Sequence, residues 1–295
     1  MSVLSIRHDT TFRHSAPAAA TWQAVRLMPR DEPGQECLAF DLEITPHPGE
    51  VVRRADYFGN ATHLFSLREA HTRLAISATS VVRRRETHLP MPGLTPTIEA
   101  AVPALEDVIA GGEFTLEQYR HPSRFVPELP AAVELATDLD PAHTPLLAWI
   151  AGVGRRFSRD FTFDPQATSL ATPIDEVLRT RRGVCQDFAH LFIACARQLG
   201  LSAAYVSGYI LTAPPPGQPR LRGADAMHAW VSVFVPGTGW VDYDPTNDCF
   251  AGAGHVVVAR GRDYADVSPV RGIFSGGGQH TLYLGVTVEP EEATA

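Results

Sequence analysis

The spacing of apolar and polar residues changes period twice along the chain. In 37–45 (CLAFDLEIT), Leu38, Phe40, Leu42 and Ile44 alternate with Ala39, Asp41, Glu43 and Thr45. In 72–82 (TRLAISATSVV), Leu74, Ile76, Ala78 and Val82 alternate with Arg73, Ser77 and Thr79. A period of two sends every second side chain to one face, which predicts half-buried strands. Turn signals separate them: Pro29-Arg30-Asp31, Pro33-Gly34, Pro46-His47-Pro48-Gly49 and Gly59-Asn60. Residues 1–87 therefore read as a β-rich N-terminal domain, a small antiparallel sandwich. The stretch 88–104, with Pro90, Pro92, Pro96 and Pro103, reads as a linker, and 105–295 as a second unit.

In that unit the period first becomes helical. Leu146, Leu147, Ile150 and Val153 share one face, and Thr172-Pro173 opens a short helix with Ile174, Val177 and Leu178. The clearest helix starts near Cys185. Phe188, Leu191, Phe192, Cys195 and Leu199 fall at i, i+3, i+4, i+7 and i+11 and predict one core-facing stripe, with Gly200 as its stop. The period then returns to two. Ala204–Val206 and Tyr209–Leu211 read as strand, Pro214-Pro215-Pro216-Gly217 as a loop, and His228–Val235 as a strand. Pro236-Gly237-Thr238-Gly239 is a turn, Trp240–Asp244 the returning strand, and Thr281–Val288 the last strand, counted with the second unit. The whole is an α+β pattern.

Three residues on these elements suggest chemistry. Cys185 sits where a Gly-containing loop enters a helix. The free N–H groups and dipole there favour a thiolate, and the Cys185 amide can face a developing oxyanion. Arg181 and Arg182 add to this if they stay close. The alternative is a small buried hydrophobe, which is how mid-helix Cys195 reads. His228 starts one strand of a hairpin and Asp244 ends the other, so an imidazole and a carboxylate come within reach. Such a pair serves as base and orienter for a nucleophile. A histidine at a strand edge can equally be structural, and Asp242, two residues earlier, is a rival orienter. Gln186, Trp149 and Trp230 are candidates for a second oxyanion donor, and Arg262, Asp263 and Tyr264 for a rim. Trp230, Phe234 and Trp240 read as hairpin core, and Asp187 and His190 lack the second ligand cluster that metal catalysis needs.

Composition narrows the partners. The chain has 295 residues, 44% of them hydrophobic, enough for one large or two ordinary domains. A net charge of -8 without a basic stripe argues against nucleic acid. No apolar run reaches about 20 residues, which argues against a membrane span, and MSVLSIRHDTTFRH lacks the pattern of a secretory signal. Cys37, Cys185, Cys195 and Cys249 form no CxxC pair, which predicts neither disulfides nor a zinc site and points to the reducing cytoplasm. The Gly276-Gly277-Gly278 run lacks the strand and helix of a phosphate loop.

The segment RRGVCQDFAHLFIACARQLGLSAAYVSGYI resembles the cysteine helix of the transglutaminase-like superfamily, and AMHAWVSVFVPGTGWVDYDPTND resembles its histidine and aspartate strands. ADYFGN and GRDYADVSPVRGIF look like a bacterial two-part subgroup with a β-rich domain before the core. The resemblance implies a papain-like α+β core with Cys185, His228 and Asp244 as catalytic triad. It implies a thioester-forming enzyme on peptide or amide bonds of a peptide or protein substrate. The acceptor is water in a protease or amidase, the favoured reading, or an amine in a transglutaminase or peptide-bond-forming acyltransferase. No cofactor or metal is expected, and no EF-hand-like loop signals calcium. The rivals are a non-catalytic peptide-binding module and an assembly protein in which the β-rich domain does the work.

Overall fold

The computed structural model describes residues 2–86, 88–212 and 226–291. The loop expected at Pro214–Gly217 lies outside the described residues. In chain order, β1 (Ser2–Val25), β2 (Gln35–Thr45), β3 (Val51–Ala55), β4 (Ala61–Leu67) and β5 (His71–Arg84) come first. Helices α1 (Ile98–Ala110) and α2 (Leu146–Asp160), strand β6 (Thr162–Phe163), α3 (Ile174–Thr180), β7 (Arg182–Gly183) and α4 (Cys185–Gln198) follow. Then come β8 (Ala203–Ile210), β9 (His228–Val235), β10 (Gly239–Asp244), β11 (Cys249–Phe250), β12 (His255–Gly261), α5 (Tyr264–Val267), β13 (Val270–Gly276) and β14 (His280–Pro290). Among the described residues no helix is long and apolar enough to cross a membrane.

The first sheet is antiparallel, in the order β2-β5-β1-β4-β3, with β13 and β14 also paired to β1. The long β1 is shared. Ser2 to Arg13 lie opposite β5, Leu4 to His14 opposite β14, Ala18 to Val25 opposite β13, and Thr21 to Val25 opposite β4. The pairing to β5 jumps between Arg13 and Ala18, and Pro17, which has no N–H to donate, sits in that break.

Two expectations need correction here. The C-terminal strands belong to the first sheet, not to the 105–295 unit. Val286 and Val288 share a core with Leu4, Ile6 and Val82 of that sheet and with Tyr209, Val256 and Val258 of the second. A strand facing both sheets carries no sequence mark of which one pairs with it. The expected 88–104 linker already contains the start of α1, where Thr97 caps the helix by accepting from the Ala100 N–H at 3.3 Å.

The second sheet is antiparallel in the order β11-β10-β9-β8-β12. Helix α4 packs on β8 and β9 and is wrapped by α2 and α3. Phe188, Leu191, Phe192 and Cys195 are buried as the stripe predicts, but burial extends all round, from Asp187 through Arg197. A helix enclosed on every side needs no polar face, and Ala189, Ile193, Ala194 and Ala196 supply none. Trp230 is fully buried, whereas Phe234 and Trp240 stand edge to face at 5.6 Å, half-buried.

Strand β12 is the outer edge of the second sheet, and side chains of the first domain satisfy it. Gln35 bonds both backbone groups of Val257, at 2.7 and 2.8 Å, and Asn60 bonds both of Arg260, at 2.8 Å each. These amides substitute for a neighbouring strand.

Candidate active site

The loop before Cys185 is set by its own residues. Strand β7 pairs with β6, which fixes the path of Arg182 and Gly183. The Asp187 carboxylate then folds back and accepts from the Val184 N–H at 2.8 Å and from Thr168 Oγ1 at 2.6 Å. A Cβ on Gly183 would lie 2.8 Å from that carboxylate, so only glycine lets it close. Cys185 is thereby the first residue of α4, and its N–H has no carbonyl one turn back to bond.

Cys185 is half-buried at the start of α4, and its thiol lies close enough to the His228 ring to help raise it. His228 Nε2 donates to Asp244 Oδ2 at 2.6 Å, which leaves Nδ1 for Cys185. Burial disfavours the charged ring, but the bonds to Asp244 and Cys185 outweigh it and raise His228 from 6.5 to about 10. Asp244 is fully buried. Burial alone would raise its carboxyl, yet its bonds from His228 and His255 hold it far below the usual carboxylate range. The structure thus brings Cys185, His228 and Asp244 into one cluster, in which His228 and Asp244 are joined by a short hydrogen bond.

Sequence reasoning missed two residues here. His255 Nδ1 accepts from the Gly252 N–H at 3.2 Å, so its proton sits on Nε2, which donates to Asp244 Oδ2 at 3.2 Å. Asn247 Nδ2 donates to the same oxygen at 2.7 Å. The Thr246 and Asn247 amides bond Oδ1 at 2.9 and 3.3 Å. Asn247 was findable, because an Asp followed by a tight turn offers its carboxylate to the next amides; His255, from another strand, gave no local signal.

The other candidates fall elsewhere. Asp242 accepts from Trp230 Nε1 at 3.0 Å, from Ser232 and from Arg260, so it does not orient His228, and Trp230 has no N–H left for an oxyanion. Trp149 Nε1 is buried without a partner, with the ring edge-on to Phe192 in the core. Gln186 is half-buried on α4. Arg181 pairs with Glu134 and Arg182 with Asp164, so neither cation is reserved for the thiol. Asp263 caps α5 and accepts from the Phe125 N–H at 2.7 Å, and Arg262 pairs with Asp266. The Tyr264 N–H donates to His190, whose burial lowers it to about 3. Cys195 is inert packing, pushed up to about 12 by burial.

Asp244, Cys249 and His255 offer ligand-type atoms within 4.8 Å of one another. As they stand, Asp244 is saturated by donors and His255 Nε2 carries the proton it donates, so the group is a hydrogen-bond network around Asp244.

Comparison with known proteins agrees with this arrangement of domains. Residues 4–83 match the bacterial transglutaminase-like N-terminal region, and residues 135–245 match the transglutaminase-like superfamily. A protein of Mycobacterium tuberculosis is 39% identical over 302 residues, covering 98% of this chain and 93% of that protein. A protein-glutamine gamma-glutamyltransferase of Pseudomonas aeruginosa is 33% identical over 121 residues, 40% of this chain but 18% of that protein. Among solved structures, a Cytophaga hutchinsonii protein described as a candidate cysteine protease superposes with a TM-score of 0.74 at 19% identity, covering 100% of this chain and 92% of that one. It shares the fold.

Proposed function

The chain belongs to the transglutaminase-like superfamily, and on that premise we propose that it is a cysteine-nucleophile acyl-transfer enzyme acting on amide bonds of a peptide or protein. The observation that supports this reading is the His228 ring beside Cys185, with His228 Nε2 2.6 Å from a fully buried carboxylate. In this reading the Cys185 thiolate attacks the substrate carbonyl carbon, and the Cys185 N–H at the start of α4 faces the oxyanion. The tetrahedral intermediate collapses, the C–N bond breaks, and the imidazolium of His228 gives its proton to the leaving amine. The acyl group remains on sulfur as a thioester. Asp244 keeps the ring oriented and the imidazolium stable.

The acceptor takes the acyl group in the second half, with His228 removing its proton. Water is our first assignment, because Cys185 and His228 are both partly exposed and an open thioester meets water first. Amine transfer is the second reading, favoured by the match to the Pseudomonas glutamyltransferase. Intact-mass analysis tests both. Wild type and Cys185→Ala are incubated with a glutamine-containing peptide pool, with and without a primary amine. Cleaved or deamidated peptide with wild type alone supports hydrolysis. Amine-coupled peptide with wild type alone supports transfer. Products formed equally by Cys185→Ala would remove Cys185 from the mechanism.

A further inference from the structure

A second cavity, of about 770 Å³, lies between the two domains and takes no part in the chemistry above. Its polar wall sets Arg30, Arg84 and Arg260 against Glu32, Asp242 and the exposed Glu86. Arg260 is committed to two half-buried acids, donating to Glu32 at 2.9 and 3.1 Å and to Asp242 at 2.9 and 3.0 Å. Arg30 donates to Asn60 Oδ1 at 2.5 Å and to the Phe58 carbonyl at 3.1 Å, and lies 3.7 Å from Glu32.

Arg84 differs. It is 5% exposed, yet among the described residues no carboxylate stands within ion-pair distance of it. Its contacts are two long hydrogen bonds, 3.3 Å each, to the carbonyls of Gly34 and Gly252, and its Nε has no partner. Glu32 and Asp242 act on it only from beyond hydrogen-bond distance while both are bonded to Arg260, so burial outweighs them and the cation is undercompensated. The wall also carries an aromatic cluster, Tyr57, Phe58, Tyr119, Trp240 and Phe250, with Tyr119 and Trp240 edge to face at 5.1 Å.

We propose that this cavity is a binding site for a monocarboxylate with a flat apolar body. The Arg84 guanidinium takes the carboxylate, and the Tyr119–Trp240 corner takes the body. A planar N–H fork matches the two oxygens of a carboxylate, and the added charge would sit on Arg84, whose neighbouring acids are already bonded to Arg260. A C-terminal aromatic residue of a peptide and a free aryl-bearing acid share this chemistry. The site also adjoins the Asp244 network. The Gly252 carbonyl accepts from Arg84 while its N–H holds His255, the donor to Asp244.

The test is calorimetric titration of the full chain carrying Cys185→Ala with N-acetyl-phenylalanine and, separately, with its carboxamide. Using Cys185→Ala separates binding from turnover, so the outcome does not depend on the catalytic reading. The acid should bind saturably and the amide roughly tenfold more weakly or worse. Arg84→Gln should weaken the acid by a similar factor and bring the two ligands to equal affinity. Failure of the acid to bind, or equal affinity for acid and amide with Arg84 in place, overturns the proposal without any variant at Arg84 having to fold. Undiminished acid binding by Arg84→Gln overturns it as well.

Discussion

Replacing Asp244 by asparagine changes one oxygen to NH2 and leaves the volume almost unaltered. Five N–H donors converge on this carboxylate, three on Oδ2 and two on Oδ1. However the amide turns, its NH2 meets at least two of them. Each buried donor left without an acceptor costs about 1–3 kcal/mol, so a stability loss of about 2–6 kcal/mol is expected. The effect on His228 follows from the balance that raises it to about 10, in which burial opposes the bonds to Asp244 and Cys185. Without the anion, burial gains weight and the imidazolium is no longer favoured at neutral pH. Breaking a buried charge pair from one side costs about 3–5 kcal/mol. The lower end corresponds to a loss of the thiolate–imidazolium pair on the order of 100-fold. The assay is the rate of Cys185 alkylation by iodoacetamide as a function of pH, read by intact mass. Asp244→Asn should label about 100-fold more slowly than wild type at neutral pH and recover in alkali, where an unassisted thiol ionises. A wild-type rate in folded Asp244→Asn refutes the reasoning. So does an equal loss in folded Asp242→Asn, whose carboxylate serves Arg260 and not His228.

Two further outcomes are expected. His228 is raised to about 10, so its stabilisation is fully present below its unfolded value of 6.5 and is lost as pH rises through about 10. Asp244 is depressed, so its share is present above its unfolded value of 3.8 and is lost only in strong acid. Urea titrations should therefore show a fall in stability from neutral to alkaline pH that is clearly smaller in His228→Gln; equal slopes would contradict the pairing. Separately, a Cβ on Gly208 would lie 2.1 Å from the Val256 carbonyl and 2.5 Å from the Trp230 ring, against a nearest approach of 3.6 Å at Gly254. Gly208→Ala should cost about 2–4 kcal/mol in chemical denaturation and Gly254→Ala close to nothing; similar costs would refute the packing argument.

Much of the second domain was legible because its chemistry coincides with strong local patterns. The α4 stripe and the β9–β10 hairpin follow from side-chain period and turn residues, and Cys185, His228 and Asp244 sit at the ends of those elements. The first sheet was harder. Its central strand β1 buries His8, Thr10, Thr21 and Gln23 at positions where a core strand is expected to be apolar. Their polar groups are satisfied across the fold or along the strand: His8 bonds Tyr209 and Thr10, and Gln23 bonds Thr21. A period-two pattern written partly in polar residues is invisible to a hydrophobicity reading. Asp242 and Asp244 lie on one face of β10; the strand end at Pro245-Thr246-Asn247 favours Asp244 in the sequence, and distant Arg260 and His255 separate their roles in the fold.

These long-range bonds also bear on what the first domain does. The edge of β12 is closed by Gln35 and Asn60, and Arg260 within it is tied to Glu32. The same strand begins with His255, whose Nε2 fixes Asp244. An edge strand free to shift by a residue would turn His255 to the opposite face, because successive side chains alternate. Pairing with β8 sets the register of β12, and the side chains of the first domain bond its outer edge in that same register, the one that places His255 against the carboxylate. The return of β13 and β14 to β1 closes the chain around this contact. The β-rich domain therefore belongs to the architecture of the site, although Cys185, His228 and Asp244 all come from the other half of the fold.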